Sequence, residues 1–428
     1  MQIVYIMLCI LILWEIMHRK IDFISVAAIS FILYTNNCIV GEVWIIQSDY
    51  FAYHANINFK TYFLICTQLL IIYIYIYLKR KKIVFIFGKR DIVEKKIYKR
   101  EKNIGNNNDD IYFMIILFIS ITSFFYEIIF KIGISNFFSE LSKSAVIERT
   151  SSIFGLSIWG ALVCFFYYYS LRKKIYVIIS ASVLIMYLLL GSRAYIASAF
   201  VGLIIIKSFE WEKKLGKKSK KRVIFLTIIM FVFLIFYKVI YREIRAGDFS
   251  TAVTLLKDSI TWNFLFDISE FRNILANYNY IIENNISFPI ADTLARIISI
   301  IPFINDNFST EYPLRLSVML KEEINTSYGL GSTFWGECYA MGGIIFLLLM
   351  TFFWITFINY LNNKVKIRKS PYTIVMAAYL SFYIHRLDWL QVMGCLKIVM
   401  LLYIFNIAFN IIGNKYHVKN NLSRRETY

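Results

Sequence analysis

Cysteine pairs at disulfide-forming or metal-binding spacing are missing from this chain. Its six cysteines, Cys9, Cys38, Cys66, Cys164, Cys338 and Cys395, are scattered, mostly inside apolar runs, and read as small core hydrophobes. No phosphate-binding loop of the form GxxxxGK[ST] occurs, which argues against ATP-driven transport by this chain alone. Nothing carries the nucleotide-sugar or metal signature of a cytoplasmic transferase. "NDD" at 108–110 resembles a metal-binding acidic motif by letters only, sits in a polar stretch and is expected to be solvent exposed. The first apolar segment has neither a basic region ahead of it nor a small-residue cleavage site, so a retained helix is expected. No internal repeat is visible, and the one long biased stretch, at 95–110, is basic and asparagine-rich.

What the chain does contain is hydrocarbon. Of 428 residues, 58% are hydrophobic and 18% aromatic, only four are proline, and the mean hydropathy is +0.58, far above soluble norms. Apolar runs long enough to cross about 30 Å of bilayer recur from end to end. They place helices near 3–17, 22–40, 61–78, 111–130, 153–171, 175–191, 194–206, 223–241, 334–361, 371–386 and 390–413. The expected fold is therefore all-α and polytopic, with about eleven spans, ten to twelve being allowed by the pattern alone.

Loop charge tests that count. Between 79 and 110 there are 11 Lys/Arg against 5 Asp/Glu, and "HRK" at 18–20, "RKK" at 172–174, "KKLGKKSKKR" at 213–222, "KVKIRK" at 364–369 and the tail from Lys415 are basic as well. Every second loop is basic. Under the positive-inside rule the amino terminus lies outside and the carboxyl terminus in the cytoplasm. Most of the formal charge of +19 is then topology, and no nucleic-acid partner is implied.

This topology divides the chain into residues 1–241 with eight helices, a large external loop at 242–333, and residues 334–428 with three helices and a tail. From 242 to 330 the loop holds 7 Lys/Arg against 11 Asp/Glu, five of the cations being arginine. "ADTLARIISIIPFI" (291–304) is apolar enough to lie along the membrane surface as an amphipathic helix ending at Pro302, so the loop is expected to be a partly helical cap.

Three constellations face that side. In "YLLLGSRAYIASAF" (187–200), Gly191 permits a tight reversal and Arg193 sits at or just below the surface. It either snorkels to headgroups or binds an anion; a guanidinium offers paired donors that match phosphate oxygens. In "YGLGSTFWGECYAMGG" (328–343), small residues at 329, 331, 332 and 336 allow close backbone approach, and Glu337 enters the membrane, where a carboxylate is costly unless paired. Glu337 is either a salt-bridge partner in helix packing or a general base or sugar-hydroxyl ligand. In "HRLDW" (385–389), an Arg386–Asp388 ion pair anchoring the helix end competes with a catalytic role, and His385 is a weaker candidate base. Arg242 and Arg245, in "YREIRAGD", are three residues apart and share a face if their helix continues. Loop aromatics Trp262, Phe264, Phe266, Tyr278 and Tyr280 suit either sugar stacking or an interfacial belt.

"GSR" closing a helix near mid-chain, a large external loop after the next helix, and then "GLGSTFWGECY" give the chain a resemblance to the O-antigen polymerases, the oligosaccharide repeat unit polymerases of bacterial surface polysaccharide assembly. Length and helix count are similar throughout; "HRLDW" is similar to a late Arg-Gly-Asp element, with Leu387 in place of the glycine. The resemblance implies a multi-spanning glycosyltransferase of the GT-C type in the bacterial inner membrane, metal-independent and without a cofactor. It would move a growing glycan from polyprenyl diphosphate onto a new lipid-linked repeat unit at the outer leaflet. A length-regulating protein partner is left open. Arg193, helped by Arg242, Arg245 and Arg386, is then expected to bind diphosphate, with Glu337 as first choice of base and Asp388 as second. An O-antigen ligase, a flippase of lipid-linked oligosaccharide and a structural scaffold are the alternatives.

Overall fold

The computed structural model describes residues 1–18, 21–47, 50–81, 107–138, 153–215, 217–258, 269–301, 316–326 and 333–425. Helices dominate: α1 (Gln2–Met17), α2 (Phe23–Tyr34), α3 (Phe59–Arg80), α4 (Asn107–Tyr126), α5 (Ile153–Ser170), α6 (Lys174–Leu189), α7 (Arg193–Leu215) and α8 (Lys217–Ala246) precede the large loop. Within that loop lie α9 (Phe249–Asp258), α10 (Ser269–Glu283), α11 (Ile290–Ile298) and α12 (Leu316–Glu323), followed by α13 (Phe334–Arg368), α14 (Pro371–Phe382) and α15 (Trp389–Arg425). Where it is described, the segment from 242 to 333 is mostly helical, with short turns and extended links between its helices.

Each of the eleven apolar runs falls on a helix, though 22–40 is shortened: α2 stops at Tyr34 and a 3-10 turn at Asn36–Ile39 follows. Among the described residues, four helical stretches, Phe59–Arg80, Asn108–Ile132, Phe334–Arg368 and Trp389–Gly413, are long and apolar enough to cross a membrane. Four more, Gln2–Met17, Phe23–Tyr34, Lys174–Leu189 and Pro371–Phe382, are apolar but shorter. Side-chain distribution agrees with a lipid environment. Ile3, Phe118, Ile178 and Ile345 point outward, while Gln68, Ser30, Thr351 and Asn362 are buried. The buried polar groups bond to one another: Tyr278 donates to Gln68 Oε1 (3.1 Å), and Gln68 Nε2 donates to Thr351 (3.0 Å). A water-soluble fold would invert that arrangement.

One element departs from the all-α expectation. Strands β1 (Glu42–Gln47) and β2 (Tyr50–Asn56) form an antiparallel hairpin between α2 and α3, with Trp44 opposite His54 and a bulge between Ile45 and Ile46. Six and seven residues are too few for a helix to bury an apolar face, whereas the aromatic and β-branched side chains suit a pleated pair. The hairpin is held against α10. Asn279 Nδ2 donates to the Tyr53 hydroxyl (2.9 Å), which donates to Glu283 (2.9 Å), and the Arg272 guanidinium lies 5.1 Å from the Trp44 ring centre.

At one end of the bundle, ion pairs tie helix termini together: Arg80–Glu15 (3.1 Å), Lys79–Asp22 (3.3 Å) and Lys369–Glu210 (3.0 Å), with Asn362 donating to Asp22 (3.3 Å). These join the ends of α1, α3, α7 and α13 to the start of α2. "NDD" corrects its expectation as solvent-exposed loop. Asp109 and Asp110 form the acidic first turn of α4, Asp109 accepts from Asn410 (2.7 Å), and Asp110 pairs with Lys173 (2.9 Å) and accepts from Tyr167 (2.9 Å). Acidic side chains at a helix start are favoured by the macrodipole, and here they are partnered as well.

The run 334–361 was expected as one span, but α13 is broken. Gly342 and Gly343 leave helical geometry, Gly343 at φ 65°, ψ −155°, separating a buried segment, Phe334–Met341, from the long remainder. The break frees carbonyls that find donors elsewhere: Phe288 N–H bonds to Ala340 O (2.9 Å) and the Thr293 hydroxyl to Met341 O (3.4 Å). Irregular backbone at membrane depth is tolerated only with such internal partners. A Cβ at residue 343 would meet no atom within 4 Å, so substitution there tests backbone strain alone. Gly343→Ala is expected to destabilise by about 1–3 kcal/mol, read as a lowered thermal midpoint in detergent. An unchanged midpoint would show that the break is not a strained conformation.

Candidate site at one end of the helix bundle

Glu337 lies in the first turn of α13, whose start is set by Thr333, the side chain of which accepts from Gly336 N–H (3.3 Å). Glycine at 336 is required by close approach: a Cβ would come within 2.6 Å of Ile281 on α10 and of Thr333. Glu337 is fully buried and pairs with the equally buried Arg296 of α11, and its second oxygen accepts the backbone N–H of Trp389, the first residue of α15. The clasp is closed on all sides. The Trp389 indole donates to Arg296 O (2.7 Å), the Arg296 guanidinium stands 4.0 Å from the Phe288 ring centre, and Phe334 stacks on Trp389 at 5.5 Å. Of the two roles read for Glu337, helix-packing salt bridge is the one this geometry displays. In this arrangement both carboxylate oxygens are engaged.

Asp388 is also buried, and it caps α15: its side chain accepts from Gln391 N–H (2.7 Å), while Gln391 Oε1 accepts from Asp388 N–H (3.3 Å). This is a reciprocal capping box. The Arg386 guanidinium rests 5.7 Å from the Tyr383 ring centre. His385 is a core residue. The Trp335 indole donates to its Nδ1 (2.9 Å), which leaves the proton on Nε2, facing Ser30 Oγ (3.0 Å), and the Ser30 hydroxyl donates in turn to Ser381 O (2.7 Å). Phe31, Tyr34 and Trp354 surround the imidazole at 5.2–5.5 Å, so a base role finds no support here. A small apolar cavity opens beside it, lined by Phe31, Tyr34, Tyr278, Thr333 and Trp335.

The arginines gather at the same end. Helix α6 ends in a Schellman motif, with Gly191 N–H bonding to Leu188 O (2.7 Å), Ser192 N–H to Tyr187 O (3.0 Å), and Gly191 at φ 83°. Arg193, half-buried, is the first residue of α7. Helices α7 and α8 run antiparallel, so the end of α8 returns to this turn. The Tyr241 ring occupies the space a Cβ at 191 would fill, and the Tyr237 hydroxyl donates to Leu188 O (3.1 Å). Arg245, buried to 4% exposure, follows one turn later. Helix α8 does continue through Arg242 and Arg245, but the Arg242 side chain lies outside the described residues. The start of α7 also meets the end of α14: Trp159 touches both Tyr195 (5.2 Å) and Tyr379 (4.8 Å), and Gly202 packs beside Ile374. Arg193, Arg245 and Arg386 therefore share one end of the bundle with Glu337 and Asp388.

Beyond α8, Gly247 closes a second Schellman turn and Asp248 caps α9. The Thr251 hydroxyl and N–H, then the Ser250 hydroxyl, bond to its carboxylate and hold its pKa down to about 2, so it stays ionised beside the arginine-bearing turn. Tyr278 is a core residue bonded to Gln68, and Tyr280 packs edge-on against Tyr53 at 5.3 Å. Trp262, Phe264, Phe266 and the small residues at 329, 331 and 332 lie outside the described residues.

The partner of Glu337 was not legible beforehand. A carboxylate entering the membrane calls for an arginine, but Arg296 is 41 residues away and was one of five in the loop. Removing one member of a buried pair leaves the other charge stranded, at a cost of about 3–5 kcal/mol, whereas apolar replacement of both is often neutral. Arg296→Met alone is thus expected to lower the thermal midpoint sharply in detergent, and the double variant Arg296→Met, Glu337→Met to recover most of it. Equal losses from the single and double variants would sink the assignment.

Comparison with protein-family models, with curated proteins and with solved structures finds no match to this chain.

Proposed function

We propose that this protein is a glycosyltransferase of the bacterial cytoplasmic membrane that polymerises lipid-linked oligosaccharide repeat units at the outer leaflet, with its amino terminus outside. The reading rests on the resemblance of its motifs to the O-antigen polymerases and is supported by one observation above all. Arginines carried by α7, α8 and the α14–α15 turn, separated by up to about half the chain, lie at the same end of a membrane-type helix bundle.

In the proposed reaction, a sugar hydroxyl of the incoming repeat unit attacks the anomeric carbon of the growing glycan. The bond from that carbon to the diphosphate oxygen breaks, a glycosidic bond forms, and the hydroxyl proton passes to a base. Diphosphate departs on its polyprenyl carrier. What the site must supply is neutralisation of the departing phosphates and alignment, and guanidinium groups suit the first task. Arg193, Arg245 and Arg386, with Arg242, take that role. Glu337 remains the first-choice base, but only in a state where Arg296 has released it; Asp388, engaged as a helix cap, is second.

A flippase for the same lipid-linked oligosaccharide is a second reading, favoured by the broken helix α13 with a buried carboxylate, a feature of transporters. A glycan ladder from a host lacking this gene separates the two. For a polymerase, loss leaves single repeat units on the surface lipid. Wild type restores the ladder, and Arg193→Ala, at equal abundance, restores it about a hundredfold less. Loss of every attached unit would overturn polymerisation and favour flipping or ligation.

A further inference from the structure

Helix α11 is amphipathic in an unusual sense. Its polar side chains turn toward the protein: Arg296 is fully buried, Ser299 is 2% exposed, and Asp292 and Thr293 are half-buried. Its large apolar side chains turn away. Ile290 (80% exposed), Leu294 (52%) and Ile297 (39%) succeed one another at helical spacing and form one stripe, and Ile301 (45%), in the turn that follows, is exposed as well. A cap helix in water would adopt the opposite orientation, burying isoleucine and leucine and exposing arginine and aspartate.

The helix also sits deep. Phe288, just ahead of the helix, donates its N–H to Ala340 O and Thr293, within it, its hydroxyl to Met341 O, two turns into α13 and level with the Gly342–Gly343 break. Immediately beyond that break α13 presents Ile344, Ile345 and Leu349 outward, on a helix long and apolar enough to cross a membrane. The α11 stripe thus begins at the level where the lipid-facing surface of α13 begins.

We propose that the outward face of α11 is a bilayer-contacting surface whose occupant is lipid hydrocarbon: α11 lies immersed at the edge of the membrane, apolar stripe to the acyl chains. Membrane-surface helices bury their apolar face in this way. The same placement makes α11 the wall between lipid and Glu337, since its inner face carries Arg296. The pair gains strength from the low-dielectric surroundings. Nothing in this inference depends on which reaction the protein performs.

Collision accessibility tests it without reference to activity. Cysteines are introduced one at a time as Ile290→Cys and Leu294→Cys in a Cys395→Ser background, where the five remaining cysteines are buried, then spin-labelled and placed in lipid nanodiscs. Ile345→Cys serves as the lipid reference and His54→Cys, on the hairpin, as the aqueous one. The expected result is an oxygen-to-nickel-chelate accessibility ratio at 290 and 294 within about twofold of that at 345 and well above that at 54. High nickel accessibility would make α11 a solvent-facing cap and overturn the proposal; protection from both reagents would show protein covering the stripe and overturn it equally. A second measurement needs no variant: wild-type protein in vesicles carrying a photoactivatable acyl chain should be labelled within residues 290–301. Absence of label there, with label on 344–353, counts against the proposal.

Discussion

A buried charge must be neutralised where it stands, and that constraint organises this end of the molecule. Glu337 enters the bundle one turn into α13, so some cation must reach it; Arg296 does, and in doing so draws α11 against α13. The Trp389 N–H completes the carboxylate's partners and ties in the start of α15. Three segments far apart in sequence are thereby fixed around one side chain. The neighbouring break in α13 is tolerated for the same reason: its freed carbonyls bond to residues that the clasp has already brought near.

Around this clasp, polar groups are spent on assembly. Asp388 caps a helix, and His385 relays a hydrogen bond from Trp335 to Ser30 and on to the Ser381 carbonyl. The arginines stand at helix termini: Arg193 and Arg245 flank glycine-closed turns, and Arg386 ends the short turn before α15, with Arg193 and Arg386 half-buried and Arg245 buried.

Legibility varied with the range of the interaction. Apolar runs announced nearly every long helix, because satisfying the backbone in hydrocarbon is a local matter and a helix satisfies it with its own residues. Gly191 announced its turn, since left-handed backbone at a helix end is a local demand too. The hairpin at Glu42–Asn56 escaped notice, being short and dependent on α10 for its packing. The break at Gly342–Gly343 was hidden inside an uninterrupted apolar run, and "NDD" looked like loop because its partners, Lys173 and Asn410, lie 63 and 301 residues away.

By itself, the sequence determined that the chain is built of apolar helices suited to a bilayer, roughly where each lies, and which charged residues are anomalous enough to need explaining. Hydropathy and helix termination act over a few residues and are written locally. Only the tertiary structure decided which arginine answers Glu337, that Asp388 caps a helix, that His385 is core, and that α11 turns its isoleucines outward. Each of those outcomes turns on which distant groups a side chain meets once the helices pack, and that is settled by the desolvation cost of leaving any of them unpaired.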